Sequence, residues 1–419
     1  MKYLDKKTHF IFLSTDKVYS RNVKFAKESS KCKPSTLYGK LKLKSEKLIK
    51  KQTKFYTVFR VPIVFGFGKK NESFIDDILI KKKSSLKIEK LEFNSYLEKG
   101  QVLVKIFYSG ICGKQIDEIN GVGAIDKYIP HCLGHEASGK VIKVGPGVKN
   151  VKVGKNVVLH WLKGKGINSN TPKYRVSGTK KIINAGWVTT FNNYAVVSEN
   201  RLTILPSGIN LKDAALFGCA IPTGVGAILN YKNFKNKTDY VGVVGCGGVG
   251  LLMIMTLRFL KFKNIVAIDI RDKSLSVAKK FGAKYCLKFN NNLTIFKNRV
   301  LSISNNKGLS HIFCNIGDDK TIGISISCLS NDGHLVQVGV PKNKSSVKVN
   351  FFDVLHGKKI SGSMGGYTNI SRDMKKYFQL YKSKKFNFSK LISKTFPFNK
   401  INKAIEYHKK YGGRVIIKF

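Results

Sequence analysis

A chain of 419 residues, 42% hydrophobic and 11% aromatic, is long and apolar enough for two or three domains with buried cores, which excludes a disordered polymer. No run of about 18 apolar residues occurs, so no membrane span is expected, and the charged start Met1–Lys7 before the short run Phe10–Leu13 does not make a signal peptide, which points to the cytoplasm. The formal net charge of +51 invites a polyanion, but lysine is spread from Lys2 to Lys418 with no concentrated patch, so nucleic acid is not expected as a partner.

In chain order, a strand is expected over Thr8–Leu13, a helix over Leu37–Lys51 and a strand over Phe55–Phe65, and the pattern breaks at the polar linker Ile80–Leu86. From there to Pro206 the chain reads as short β-segments with glycine-rich turns, among them Gln101–Tyr108, Ala137–Val144 and Lys155–Leu159, which indicates a barrel-like β fold. After Pro206 strands and helices alternate: strand Tyr240–Val244, helix Gly250–Leu260, strand Asn264–Ile270, helix Lys273–Gly282, and strands His311–Asn315 and Gly333–Val340. That rhythm implies a parallel, doubly wound sheet. The expected fold class is α/β, with a partial α/β segment at 1–75, a β domain at 76–205, a doubly wound domain at 206–365, and a final segment at 366–419 returning to the β domain.

The strand Tyr240–Val244 runs into Gly245-Cys-Gly-Gly-Val-Gly250, which opens a helix. Gly245, Gly247, Gly248, Val249 and Gly250 would form a tight turn that lets backbone approach a pyrophosphate at the helix N-terminus. Asp269, at the end of the next strand, suits a ribose hydroxyl, and an acid there repels a 2′-phosphate, favouring NAD over NADP; Arg271 works against that preference.

The eight cysteines are scattered with no CxxC pair, which argues against a disulfide framework and for isolated thiols, a few of them metal ligands. Cys112, His135, Glu136 and Cys219 form the sharpest pattern. Two thiolates and one imidazole leave a fourth position open on Zn²⁺, as in a catalytic site, although the fold would have to bring such separated residues together.

Residues 78–419 resemble the zinc-containing medium-chain alcohol dehydrogenases. The matching signatures, in order, are Gly100–Lys105, Gly110–Cys112, Gly134–Glu136, Gly145–Val148, Gly218-Cys219 with Thr223-Gly224, Gly245–Gly250, Val338–Val340 and Arg414. The resemblance implies a GroES-like β domain and a Rossmann domain with the active site in the cleft between them. It further implies zinc on Cys112, His135 and Cys219, with Glu136 a nearby carboxylate able to exchange onto the metal. Thr223, Val338 and Val340 would line the nicotinamide, and Arg414 would meet a cofactor phosphate. The zinc would act as a Lewis acid toward the alcohol, and hydride would pass to the cofactor.

Two departures stand out. Where the family has a Ser or Thr relay and then an Asp, this chain has Lys114 and Gln115. Either Lys114 is itself the acid/base, or it faces solvent and the proton runs elsewhere, through His160. The stretch His160–Ala185 contains no cysteine, so one catalytic zinc and no structural zinc is expected, and Asn184–Phe191 is expected to shape the pocket.

Upstream, Ser14–Tyr19, Tyr38–Lys42 and Arg60–Gly66 resemble the middle of an extended short-chain dehydrogenase/reductase of the sugar-nucleotide epimerase and reductase type. Thr15, Tyr38 and Lys42 would be its catalytic trio. That family's glycine-rich loop lies upstream of these motifs, so residues 1–75 are expected to be a catalytically silent remnant. The whole reads as a zinc- and NAD-dependent oxidoreductase acting on a small alcohol, polyol or carbonyl compound, as a homodimer or homotetramer. The rivals are a zinc-free reductase of the same superfamily and a non-catalytic basic binding protein.

Overall fold

The structure, a computed structural model, describes residues 9–15, 18–19, 30–53, 55–61, 86–92, 96–121, 129–290, 292–341 and 345–419. Thr8, Phe65 and most of the linker at 80–86 lie outside them. The chain divides into two compact units, Met1–Ser84 and Ser85–Phe419.

In the first unit, strands β1 (Phe10–Thr15) and β2 (Tyr56–Val61) pair in parallel across the intervening helix Leu37–Gln52. Thr36 caps that helix by accepting from the Gly39 amide, and Lys50 and Lys51 sit favourably in its last turn. The buried Glu46 accepts from Ser14 and forms a 2.7 Å ion pair with Arg60, whose guanidinium also donates to Tyr19 at 2.9 Å.

In the second unit, β3 (Leu91–Glu92), β7 (Lys173–Val176) and β8 (Ile182–Asn184) form a small antiparallel sheet. Its Tyr174 is buried, and its hydroxyl accepts from the Val196 amide at 3.0 Å. The larger sheet of the β domain runs in the order β10 (Leu202–Ile204), β6 (Asn156–His160), β5 (Glu136–Val144), β4 (Gln101–Ile111), β18 (Arg414–Lys418), β17 (Ile392–Pro397), with β9 (Tyr194–Ser198) also on β4. Strand β4 is long because its alternate residues Val102, Val104 and Ile106 fill the core between the layers. The final strand β18 is antiparallel to β4, pairing Val415 with Ile111.

The doubly wound sheet is fully parallel, in the order β13 (Tyr285–Lys288), β12 (Asn264–Asp269), β11 (Tyr240–Val244), β14 (Leu309–Cys314), β15 (Leu329–Gln337), β16 (Lys359–Gly362). Strand order reverses between β11 and β14, and in such sheets ligands bind at the carboxyl ends of the strands at that point. The run Val241–Val244 is buried throughout, as expected for a strand covered on both faces. The next helix, Gly248–Phe259, is apolar almost all round and buries Gly250–Ile254.

Candidate active site

Each of the three separated ligand candidates sits where the backbone changes course. Cys112 follows the last residue of β4 and caps the helix Gly113–Ile119. His135 precedes the first residue of β5, after Gly134 at φ +91. Cys219 lies at the junction of the segments Leu211–Gly218 and Ala220–Leu229, which are bent by 62° and largely buried. Those two segments reach a membrane-spanning length only together; among the described residues no single helix is long and apolar enough to cross a membrane.

The folded chain brings one ligand atom from each of Cys112, His135 and Cys219 within 4.8 Å of the others. His135 Nε2 is buried with no hydrogen-bond partner among the described residues, a costly arrangement unless something takes its place there. The Cys219 thiol holds the Cys112 thiol well below its ordinary pKa, and Cys219 itself is pushed well above by the same contact and by burial. Two soft sulfurs, one a ready thiolate, and an orphaned imidazole nitrogen fit zinc.

Glu136 stands beside this cluster but outside it. Its Oε1 accepts from Arg414 Nη1 at 2.8 Å and its Oε2 from the Ala220 amide at 3.0 Å. Burial pushes its carboxyl pKa up, and the Arg414 guanidinium pulls against that. As a metal ligand, Glu136 is therefore a correction: both oxygens are committed to Arg414 and to the residue after Cys219. Gln115, the substitute for the usual acid, is 1% exposed; its Oε1 accepts from the Cys112 amide at 3.2 Å and its Nε2 lies 2.9 Å from His135 Nδ1. Lys114 is half-buried in the first turn of the same helix.

His160 needs the second correction. Its Nδ1 donates to the Leu162 carbonyl at 2.8 Å and its Nε2 accepts from Thr203 Oγ1 at 3.0 Å. With both nitrogens engaged and burial lowering its pKa to about 4, it is a neutral packing histidine and has no free nitrogen for a relay. The segment Asn184–Phe191 does border the site: Thr190 Oγ1 lies 2.7 Å from Ser109 Oγ, and a side chain on Gly134 would strike Thr190 and Phe191.

The glycine loop lies at the strand-order reversal. Gly245 takes φ +84, a left-handed conformation that other residues resist. A Cβ on Gly248 would fall 2.5 Å from Arg414 Nε. Arg414 Nε is itself buried without a hydrogen-bond partner among the described residues. Asp269 accepts from the Cys246 amide at 2.8 Å and the Arg271 amide at 2.9 Å, with Arg271 Nε at 3.6 Å. The acid thus braces the loop, a role that its spacing alone did not reveal. Asn315, after β14, also donates to the Gly245 carbonyl at 3.3 Å; its position at the end of a strand beside the reversal was the available signal.

Thr223 lies one turn beyond Cys219, its amide donating to the Cys219 carbonyl at 3.0 Å. Val338 and Gly339 donate backbone amides to Cys314, which sets Val338–Val340 at the carboxyl edge of β14 and β15. Val338 is partly buried and Val340 is 59% exposed. In the first unit, Thr15 is buried, Tyr38 is 56% exposed, and Lys42 Nζ lies 4.8 Å from the Phe12 ring and 5.9 Å from the Tyr38 ring.

Comparison with known proteins gives three domain matches. Residues 98–207 match the alcohol dehydrogenase GroES-like domain and 248–383 the zinc-binding dehydrogenase domain, while 4–92 match the RmlD substrate binding domain. The chain is 26% identical over 333 residues to the S-(hydroxymethyl)glutathione dehydrogenase of Haemophilus influenzae, covering 74% of this chain and 87% of the relative. It is 28% identical over 332 residues to alcohol dehydrogenase 6 of Peromyscus maniculatus, covering 74% and 88%. The crystal structure of benzyl alcohol dehydrogenase from Acinetobacter calcoaceticus superposes with a TM-score of 0.68 at 24% identity, over 78% of this chain and 94% of that one.

Proposed function

We propose, from a second unit that matches the alcohol dehydrogenase GroES-like and zinc-binding dehydrogenase domains, an NAD-dependent enzyme that interconverts a small alcohol or polyol and its carbonyl compound at the Cys112, His135 and Cys219 cluster. The observation that carries this reading is the convergence of three ligand atoms within 4.8 Å beside a glycine loop that shares Arg414 with Glu136. When bound, zinc supplies Lewis acidity toward the alcohol oxygen and the nicotinamide accepts hydride.

The chain's own residues do the rest. Cys112, His135 and Cys219 hold the metal. Glu136 fixes Arg414, and Arg414 and the amides of Gly247–Gly250 hold the pyrophosphate. Asp269, with its remaining lone pairs, takes the ribose hydroxyls and disfavours a 2′-phosphate. Thr223, Val338 and Val340 flank the nicotinamide. With His160 engaged elsewhere, Lys114, two residues after Cys112 in the first turn of the helix, is left to exchange the substrate proton with solvent.

A homodimer or homotetramer is supported by the outer edge of β16, which no strand among the described residues pairs and where Ile360 is half exposed, and by the exposed Phe351, Phe352 and Leu355 nearby in sequence. The deciding experiment is a screen of NAD reduction over alcohols and polyols on zinc-loaded protein. No cofactor binding and no turnover with any of them would overturn the reading.

A further inference from the structure

We propose that Gln115 is a positioning residue that keeps the metal cluster in a weak-binding state, because one amide cannot serve both the cap of its own helix and a metal-ready His135. The inference rests on the zinc reading above and concerns how tightly the site holds its metal.

The argument is one of donors and acceptors. The Cys112 backbone N–H can only donate, so the side-chain atom facing it at 3.2 Å is the Gln115 carbonyl oxygen. That fixes the other end of the amide: its nitrogen faces His135 Nδ1 at 2.9 Å. An amide nitrogen can only donate, so Nδ1 must offer its lone pair, and in a neutral ring the proton then resides on Nε2. Nε2 is the nitrogen left buried and unpartnered beside the thiols. Protonated, it has no lone pair for a metal.

For Nε2 to ligate, the ring proton must move to Nδ1 and find an acceptor there. The Gln115 amide can supply one only by turning over, which presents its NH₂ to the Cys112 N–H. Two donors then face each other around a side chain that is 1% exposed, where water cannot take up the loss. A carboxylate at this position escapes the conflict, since its two oxygens accept from Cys112 and from His135 together. Partners that orient a metal-bound histidine are worth about 10–100-fold in metal affinity, and the isosteric Gln115→Glu change should restore that range.

The test uses full-length protein. In the metal-free state, long-range ¹H–¹⁵N spectra of the imidazoles, with His135→Gln to assign the signals, should place the His135 proton on Nε2. In Gln115→Glu it should lie on Nδ1, and chelator competition should show zinc held about 10–100-fold more tightly than in the unaltered chain. A proton on Nδ1 in the unaltered, metal-free protein overturns the inference, even if the Glu variant binds zinc better, since added charge alone does that. Equal zinc affinity in the two proteins also overturns it. If neither takes up zinc, the zinc reading itself falls, whatever the tautomer.

Discussion

The second unit of this chain matches two dehydrogenase domains and the first the RmlD substrate binding domain, and the two fold their motif residues to different effect. In Ser85–Phe419 the motif residues leave the surface and meet: Arg414 and Glu136, far apart in sequence, form a 2.8 Å pair with side chains 3% and 0% exposed. In Met1–Ser84 the corresponding tyrosine stays 56% exposed and its lysine lies over aromatic rings. The buried carboxylate there, Glu46, is satisfied by Arg60 and Ser14. The difference teaches that motif order records ancestry, while function requires desolvated groups left with something to bind. His135 Nε2 and Arg414 Nε are such groups.

The contrast is broken most directly at the metal cluster. Cys219→Ser should lose zinc on elemental analysis and lower turnover by more than the about 100-fold attached to a second-sphere partner; a variant that keeps both would remove the basis for treating the second unit as the working one. Next in size is Arg414→Ala, which strands Glu136 in the core. Urea unfolding of the metal-free protein should show a loss of about 3–5 kcal/mol, and a loss under about 1 kcal/mol would mean that the pair is well hydrated and the contrast in burial overstated.

Acid provides a third measure. Burial lowers the His160 pKa to about 4, so as pH falls the unfolded chain takes up a proton before the folded one. The stability this neutral histidine contributes is intact above about pH 6.5 and declines by roughly 3 kcal/mol between there and pH 4. His160→Gln should flatten that part of the stability curve while leaving turnover at neutral pH; loss of turnover in a folded variant would return His160 to the relay. Asp269→Gly should narrow any NAD preference about tenfold, the worth of one charge-assisted hydrogen bond, and an unaltered chain that prefers NADP would show Arg271 prevailing. The smallest effect belongs to the first unit. Tyr38→Phe, and a chain beginning at residue 85, should keep kcat within about a factor of two; a large drop in folded Tyr38→Phe would reveal a second working site.

Much of the fold was legible because it rests on local regularities. The strand Tyr240–Val244 and its glycine turn carry an apolar run buried on both faces and a backbone requirement that few residues meet. The ligand residues were legible through chemistry and resemblance. What stayed hidden was orientation. Nothing local tells His160 to turn toward Thr203, which is 43 residues away, or Glu136 to spend its oxygens on Arg414 and Ala220. Gln115 was visible as a departure, but its conflict arises only when the Cys112 amide and the His135 ring approach the same side chain from two strands.

The antiparallel pairing of β18 with β4 bears on how the molecule is made. Arg414 and the Ile111 carbonyl are 303 residues apart, and the whole parallel sheet lies between them in sequence. Closing so long a loop of unstructured chain is entropically unfavourable and slow, whereas a folded insert shortens the effective distance between its ends. The parallel domain should therefore fold first and the β domain close around it, with Arg414 reaching Glu136 in that last step. Refolding followed by hydrogen exchange should find β11 and β12 protected before β4, so that the metal cluster matures late in a pathway set by the cofactor domain.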